Sequence, residues 1–253
     1  ALATSLGYIV GAVMILAYLF HPERILHVCR VKLSKKSLYL TIRNVGYMCR
    51  LGFSSFLCET AIATMMFVGN YVFIRYLGED GVAAYSIACY FFPIVFMVYN
   101  AIAQSAQPIL SYNYGAKCTA RVRETFRLAL TTAILCGAGV FLLTWIFSHQ
   151  IVGMFLDSSY PAYNIAVKGL PLFASGFVFF GINIVSIGYF QSLERDCPAM
   201  IITLLRGFVL ILLCFWILPI IWGSWGIWLA VPMSELLTFL FVLVIYWLEN
   251  RRN

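Results

Sequence analysis

Long runs of apolar residues with almost no charge dominate this sequence and restrict it to folds that lipid can surround. Seven runs are each about 19–26 residues long, enough for an α-helix to cross a hydrocarbon layer of about 30 Å. Only 11% of the residues are charged and 62% are hydrophobic, which predicts an all-α, polytopic membrane helix bundle. The runs are Leu2–Phe20, Leu51–Ile74, Val82–Gln107, Leu128–Phe147, Leu170–Phe190, Met200–Ile221 and Gly226–Leu248.

Basic residues mark one side of the predicted bundle. Most of the 17 Lys and Arg residues lie in 21–50, in the turns after the third and fifth runs, and at the tail, whereas only Arg75 and Lys168 lie at the opposite ends. The positive-inside rule therefore places the N-terminal end outside and the C-terminus in the cytoplasm. Arg206, near the start of the sixth run, is predicted to snorkel toward that basic side. The net charge of +7 then reflects topology and contact with membrane lipids rather than nucleic acid binding.

The third run ends in a stripe of polar side chains. Asn100, Gln104 and Gln107 recur at helical spacing, with Ser111 one turn further, and at about 100° per residue they share one face. Amide groups are costly against lipid. The stripe therefore predicts a protein-lined or water-lined surface that leads toward the basic end.

A lone carboxyl group lies about two turns inside the second run. Glu59 is followed by Asn70 within about 20° of the same helix face. A carboxyl group at membrane depth is costly unless it is protonated, paired or hydrated. Glu59, with Asn70, is thus a candidate to carry a proton or a Na⁺ ion. The alternative is a structural carboxyl group that binds a neighbouring helix.

Two further polar residues lie inside the later runs. Glu235 lies about mid-depth in the last run, and Asn183 lies in a run that also contains glycine and serine. Each is a candidate to line a substrate pathway or to hold helices together. The sequence contains no G-x-S-x-G, no H-E-x-x-H and no phosphate-binding glycine loop. We therefore expect no catalytic residues, no cofactor and no metal beyond possible Na⁺ at Glu59, and no enzyme activity.

Several of these stretches resemble the multidrug and toxic compound extrusion (MATE) transporters. The Q-P-x-x-S-x-N-x-G pattern over 107–115, with G-V-A-A-Y-S-I at 81–87, resembles the end of the eighth helix of that family. Residues 51–59 resemble the seventh helix of a bacterial branch that carries an acidic residue there, and 226–238 resemble the twelfth helix. The chain would then correspond to helices six to twelve of twelve.

The resemblance implies two six-helix lobes around a central cavity that exchange H⁺ or Na⁺ for drugs or organic cations by alternating access. Residues 1–20 would be the last transmembrane helix of an N-terminal lobe that the sequence lacks. Residues 21–50 would be a basic cytoplasmic inter-lobe loop, and 51–253 the six-helix C-terminal lobe. The implied location is the bacterial cytoplasmic (inner) membrane.

The resemblance also suggests roles for particular residues. Glu59 would hold the coupling ion, and Asn100, Gln104 and Gln107 would line the cytoplasmic half of the passage. The chain departs from the family in lacking a proline near Ser54. It also has Asn183 where some members carry an aspartate, which weakens the case for a two-carboxylate cation site.

Three other interpretations stay open at this point. A lipid-linked precursor flippase of related architecture would need a cationic cavity, and no buried cluster of Arg or Lys is visible in the sequence. A membrane-embedded enzyme would need nucleophile, base or metal groups that face each other from separate helices. A truncated, inactive scaffold is the third interpretation.

Overall fold

The computed structural model describes residues 2–20 and 34–252, and these ranges are helical apart from short turns. The chain divides into two compact units, Ala1–Met48 and Cys49–Asn253. Helix α1 occupies Leu2–Leu19 and is strongly apolar. Of the predicted connection 21–50, residues 21–33 lie outside the described part. The remainder is helical, because α2 begins at Lys35.

The second unit contains α2 (Lys35–Gly115) from Cys49 onward and the helices that follow it. These are α3 (Thr119–Ile146), α4 (Ser148–Gly153), α5 (Pro161–Ala174), α6 (Phe177–Ser192), α7 (Asp196–Leu204) and α8 (Leu210–Arg252). A π-helical turn, Leu205–Val209, joins α7 to α8. The predicted all-α class is confirmed.

Glycines reverse the chain inside the two longest helices. Gly78 has φ 66° and ψ −158°, and Gly223 has φ 55° and ψ −133°, a region that only glycine enters without strain. The Tyr85 hydroxyl donates to the Met65 carbonyl oxygen over 3.3 Å, although twenty residues of straight helix would extend about 30 Å. Helix α2 therefore folds back on itself at Gly78.

These reversals lie inside two of the stretches that are able to cross a membrane. Three stretches are long and apolar enough to cross a membrane, Ser55–Gly115, Thr119–Ile146 and Asp196–Leu248, and the bent pair α5 and α6 makes a fourth. The first stretch contains the break at Gly78 and the last contains the break at Gly223, so each consists of two helical segments. The six-helix lobe expected over 51–253 stays a prediction.

The fifth predicted span differs from the observed one. The sequence places it at Leu170–Phe190, but α5 begins at Pro161, and α5 and α6 meet at an angle of 41° around Ser175 and Gly176. Pro161 suits the first turn of a helix, where no N–H bond is lost. Lys168 and Asn164 make α5 look like a surface loop in the sequence, although the helix packs on Trp228 through Gly169.

Aromatic side chains and small residues form the core of the second unit. Phe73 stacks on Tyr85 with ring centroids 4.3 Å apart, and Phe92 stacks on Phe180 at 4.7 Å. Tyr99 is fully buried, and its hydroxyl donates to the Phe177 carbonyl oxygen over 2.8 Å. Many large apolar side chains are exposed instead, as expected for a surface that faces lipid. These contacts hold α2 and α6 in the arrangement that forms the polar site.

Candidate functional site

A polar cleft, here called the Glu59 cleft, lies between α6 and the two segments of α2 on either side of Gly78. Its volume is about 170 Å³. The first segment of α2 contributes Glu59, the second contributes the predicted amide stripe, and α6 provides the opposite wall. The lining residues are Ser55, Cys58, Glu59, Phe96, Asn100, Ala103, Gln104, Gln107, Ile184, Ile187, Gly188 and Gln191. The structure therefore brings together Glu59, Asn100, Gln104 and Gln107.

The Glu59 side chain is exposed in the described part of the chain, whereas the sequence suggests a carboxyl group held away from water. Among the described side chains, none forms a hydrogen bond or ion pair with Glu59. Its position one residue after Cys58, whose thiol lies 3.6 Å from the Thr203 hydroxyl, directs the carboxyl group away from that buried contact. Glu59 is thus accessible to an ion or a ligand.

The amide stripe is partly bonded to α6. Gln107 Nε2 donates to Gln191 Oε1 over 3.3 Å, and the Ser111 hydroxyl donates to the Ser192 carbonyl oxygen over 3.1 Å. Gln104 is exposed and Asn100 is half-buried. The cleft therefore has a bonded end at Gln107 and more accessible amides next to Glu59, all able to donate to or accept from a bound molecule.

Asn70 is not part of this cleft. Eleven residues of helix separate it from Glu59 by about 16 Å, so a shared face does not mean a shared site. Asn70 Nδ2 donates to the Met66 carbonyl oxygen of its own helix over 2.9 Å. In the part of the chain that the structure describes, no contact therefore links Asn70 to Glu59 around one ion.

Asn183 and Glu235 also lie outside the cleft, in a separate group that we call the Arg206 cluster. Arg206 Nε donates to Glu235 Oε1 over 2.8 Å, and Asn183 Nδ2 donates to Glu235 Oε2 over 2.8 Å. Each of the three residues is at most 4% exposed. Asn183 Nδ2 also bonds the Glu235 carbonyl oxygen over 3.0 Å. The interpretation of both residues as helix–helix contacts is thus the one that matches these bonds.

Arg206 corrects a prediction made from the sequence. It does not snorkel to the basic side but lies buried in the π-helical turn, 4% exposed, with its guanidinium carbon 4.4 Å from the centroid of the Phe180 ring. An extra residue in a π turn changes the direction of the side chains on that helix. A guanidinium buried in this way needs a carboxylate partner, which Glu235 supplies.

Two side-chain contacts lie between the Glu59 cleft and the Arg206 cluster. Phe96 lines the cleft and stacks on Phe180 with ring centroids 6.1 Å apart, and Phe180 in turn lies under Arg206. The Cys58 and Thr203 pair forms a second contact, between α2 and α7. The two carboxyl groups therefore occupy distinct environments on either side of one packed layer.

Two residues of these sites are missed by the sequence interpretation. Gln191 lines the cleft. In the sequence, only its position as a lone amide at the end of an apolar run could have indicated this role. Arg206 was visible as a cation inside the sixth run, but the long-range pairing with Glu235, 29 residues later, depends on the reversal at Gly223. The flippase interpretation requires a cationic cavity, whereas the described residues that line the Glu59 cleft include no Lys or Arg.

Known proteins resemble this chain in sequence. The MatE family model matches residues 55–216. A probable multidrug resistance protein NorM of Rhizobium meliloti is 26% identical over 161 residues, which cover 60% of this chain and 34% of that protein. The chain thus spans about a third of the length of this curated relative.

Solved structures share the fold at low identity. A multidrug resistance MATE family transporter of the MOP superfamily in an outward-facing conformation has a TM-score of 0.82 at 19% identity, covering 96% of this chain and 54% of that one. A MOP superfamily transporter from Pyrococcus furiosus has a TM-score of 0.82 at 18% identity, with the same coverages. The chain therefore spans about half of these transporters. Since the family model also matches more than half of this sequence, the chain belongs to the MatE family.

Proposed function

We propose that this chain contributes the C-terminal lobe of an ion-coupled antiporter that exports drugs or organic cations. The observation that carries the proposal is the Glu59 cleft, where an accessible carboxyl group and four amides line one space of about 170 Å³. The MATE fold and the similarity to a probable multidrug resistance protein supply the class of activity.

The cleft chemistry suits competition between an ion and a cationic substrate. An accessible carboxylate binds a proton, a Na⁺ ion or an organic cation, but it cannot fully neutralise two of them at once. Phe96 adds an aromatic face to the same cleft, which favours flat cations. Binding of the ion would therefore displace the substrate, as exchange in opposite directions requires.

The size of the cleft indicates that a second surface is needed. Pockets for drug-sized ligands have volumes of about 300–1,000 Å³, larger than the Glu59 cleft. A space of this size holds an ion with a few water molecules. We infer that the substrate binds between this lobe and a second lobe, and that Asn100, Gln104 and Gln107 form the wall on this side.

The orientation remains an inference from charge. Arg206 is buried and so does not count among the basic residues of the cytoplasmic side. Most of the remaining basic residues still lie on that side. We expect a multi-pass protein of the bacterial cytoplasmic membrane with a cytoplasmic C-terminus.

The test is ion-driven efflux by the full-length protein carrying Glu59→Gln, reconstituted in proteoliposomes. A proton gradient and a Na⁺ gradient are applied separately, with the fluorescent organic cation ethidium as the probe. We expect wild type to concentrate ethidium under at least one gradient and the variant to lose this, since glutamine keeps the shape of the side chain without its charge.

The matched control is Glu79→Gln, the same substitution at an exposed position of the same helix next to the Gly78 reversal. It should transport as wild type does. Ion-driven transport by the Glu59→Gln protein at the rate of the control would remove Glu59 from the mechanism.

A further inference from the structure

A second and larger cavity lies at the other end of the polar stripe, with a volume of about 1,010 Å³. We call it the aromatic–basic cavity. It lies where α2 ends at Gly115, α3 begins at Thr119 and α6 ends at Ser192, beside the last turns of α8. These are the ends of stretches that are long and apolar enough to cross a membrane, which would place the cavity at the level of the lipid headgroups.

The floor of the aromatic–basic cavity consists of packed rings. Tyr246 lies between Phe126 and Phe190, with ring centroids 5.6 Å and 5.0 Å away. Tyr189 packs on Phe126 at 4.2 Å, and Trp247 lines the same cavity. Tyrosine and tryptophan are the side chains that prefer the boundary between hydrocarbon and headgroups. This floor can therefore contact acyl chains and glycerol.

The rim of the cavity is positively charged. Lys117 and Arg123 both line it and are exposed, and among the described side chains none forms an ion pair with either. Arg195 lines it as well, although that side chain makes further contacts. No acidic side chain is among the lining residues in the described part of the chain. Two available cations above an aromatic floor match an anionic headgroup joined to an apolar tail.

We infer that the aromatic–basic cavity is a binding site for an anionic phospholipid of the adjacent leaflet. The phosphate group would lie between Lys117 and Arg123, and the upper part of the acyl chains would lie against Tyr189 and Tyr246. The volume of about 1,010 Å³ lies at the upper end of the range for ligand pockets, which fits the headgroup and the start of two chains. The lipid would hold the ends of α2, α3, α6 and α8 together without entering the Glu59 cleft.

The test is native mass spectrometry of the purified full-length protein with added phosphatidylglycerol, phosphatidylcholine or glycerol phosphate. The charge-removing variant is Lys117→Asn with Arg123→Gln. Asparagine is chosen because Lys117 has a φ of 58°, which asparagine tolerates better than most residues. We expect wild type to bind phosphatidylglycerol in preference to phosphatidylcholine. Binding should weaken about 20- to 30-fold in the variant, since each basic group near a membrane surface contributes about fivefold.

The matched control is Arg121→Gln with Arg127→Gln. These arginines are exposed on the same helix, outside the cavity lining, and their removal changes the net charge equally. The control should change phosphatidylglycerol binding less than twofold, and both variants should unfold at the temperature of the wild type. Equal losses in the two variants, or unchanged binding in the first, would overturn the proposal. Competition by glycerol phosphate as strong as that by the lipid would assign the cavity to a soluble anion instead.

Discussion

Glu59 and Glu235 both carry carboxyl groups inside apolar helices, yet their surroundings are opposite. Glu59 is exposed to the cleft and, in the described part of the chain, has no bonding partner. Glu235 is 4% exposed and receives bonds from Arg206 and Asn183 on both oxygens. In the sequence, both are lone carboxyl groups within apolar runs. In the structure, the ion pair with Arg206 distinguishes Glu235 from Glu59.

The difference shows what a carboxyl group needs in order to exchange ions. Glu235 is already paired with the Arg206 side chain. A mobile ion would have to displace Arg206 and leave its guanidinium buried without a partner. In the described part of the chain, Glu59 forms no such ion pair. We therefore propose a structural role for Glu235 and ion exchange at Glu59.

Removal of the Glu235 carboxyl group is expected to have the largest effect on stability. Glu235→Leu leaves Arg206 buried and unpaired, which should lower the free energy of unfolding by about 3–5 kcal/mol. Thermal or denaturant unfolding of the full-length protein in detergent measures this. Adding Arg206→Met should recover most of the loss, because an apolar pair of similar volume can replace a buried ion pair. A Glu235→Leu protein as stable as wild type would show that the ion pair is dispensable.

The amide stripe is expected to have a smaller effect, on transport rather than on stability. Gln104→Leu or Gln107→Leu removes one hydrogen-bonding group from the passage, which amounts to about 0.5–1.5 kcal/mol and a two- to tenfold lower kcat/KM for ethidium export. Ser105→Ala is the control, because Ser105 is exposed and donates to the Ile102 carbonyl oxygen of its own helix over 2.9 Å. Equal rates for all three variants would exclude the stripe from the passage.

Asn70 is expected to have the smallest effect. Its amide already bonds the Met66 carbonyl oxygen, and about 16 Å of helix separate it from Glu59. Asn70→Ala should therefore change initial efflux rates less than twofold in proteoliposomes. Loss of ion-driven transport in this variant would return Asn70 to the ion site and contradict the separation described above.

Local patterns in the sequence predict part of this arrangement well. Hydrophobic run lengths identify the membrane helices, and helical periodicity identifies the stripe of Asn100, Gln104 and Gln107. These features depend on neighbours within a few turns. The gathering of that stripe with Glu59 follows from the reversal at Gly78, which the sequence indicates only as a short break between two runs.

Long-range pairing explains what the sequence does not reveal. The partner of Glu235 is determined by the reversal at Gly223 and by the π-helical turn that carries Arg206. Neither feature has a periodic signature. Periodicity also places Asn70 on the face of Glu59, but a common face over three turns does not bring two side chains within reach of one ion.

Ion release from the purified full-length protein tests the assignment of the two carboxyl groups most directly. Protons or Na⁺ ions released on addition of ethidium are measured for wild type, for Glu59→Gln and for the double variant Arg206→Met, Glu235→Leu. We predict release from wild type and from the double variant, and none from Glu59→Gln. Release that persists in Glu59→Gln and disappears in the double variant would contradict the account, because it would place the exchanging carboxyl group in the Arg206 cluster.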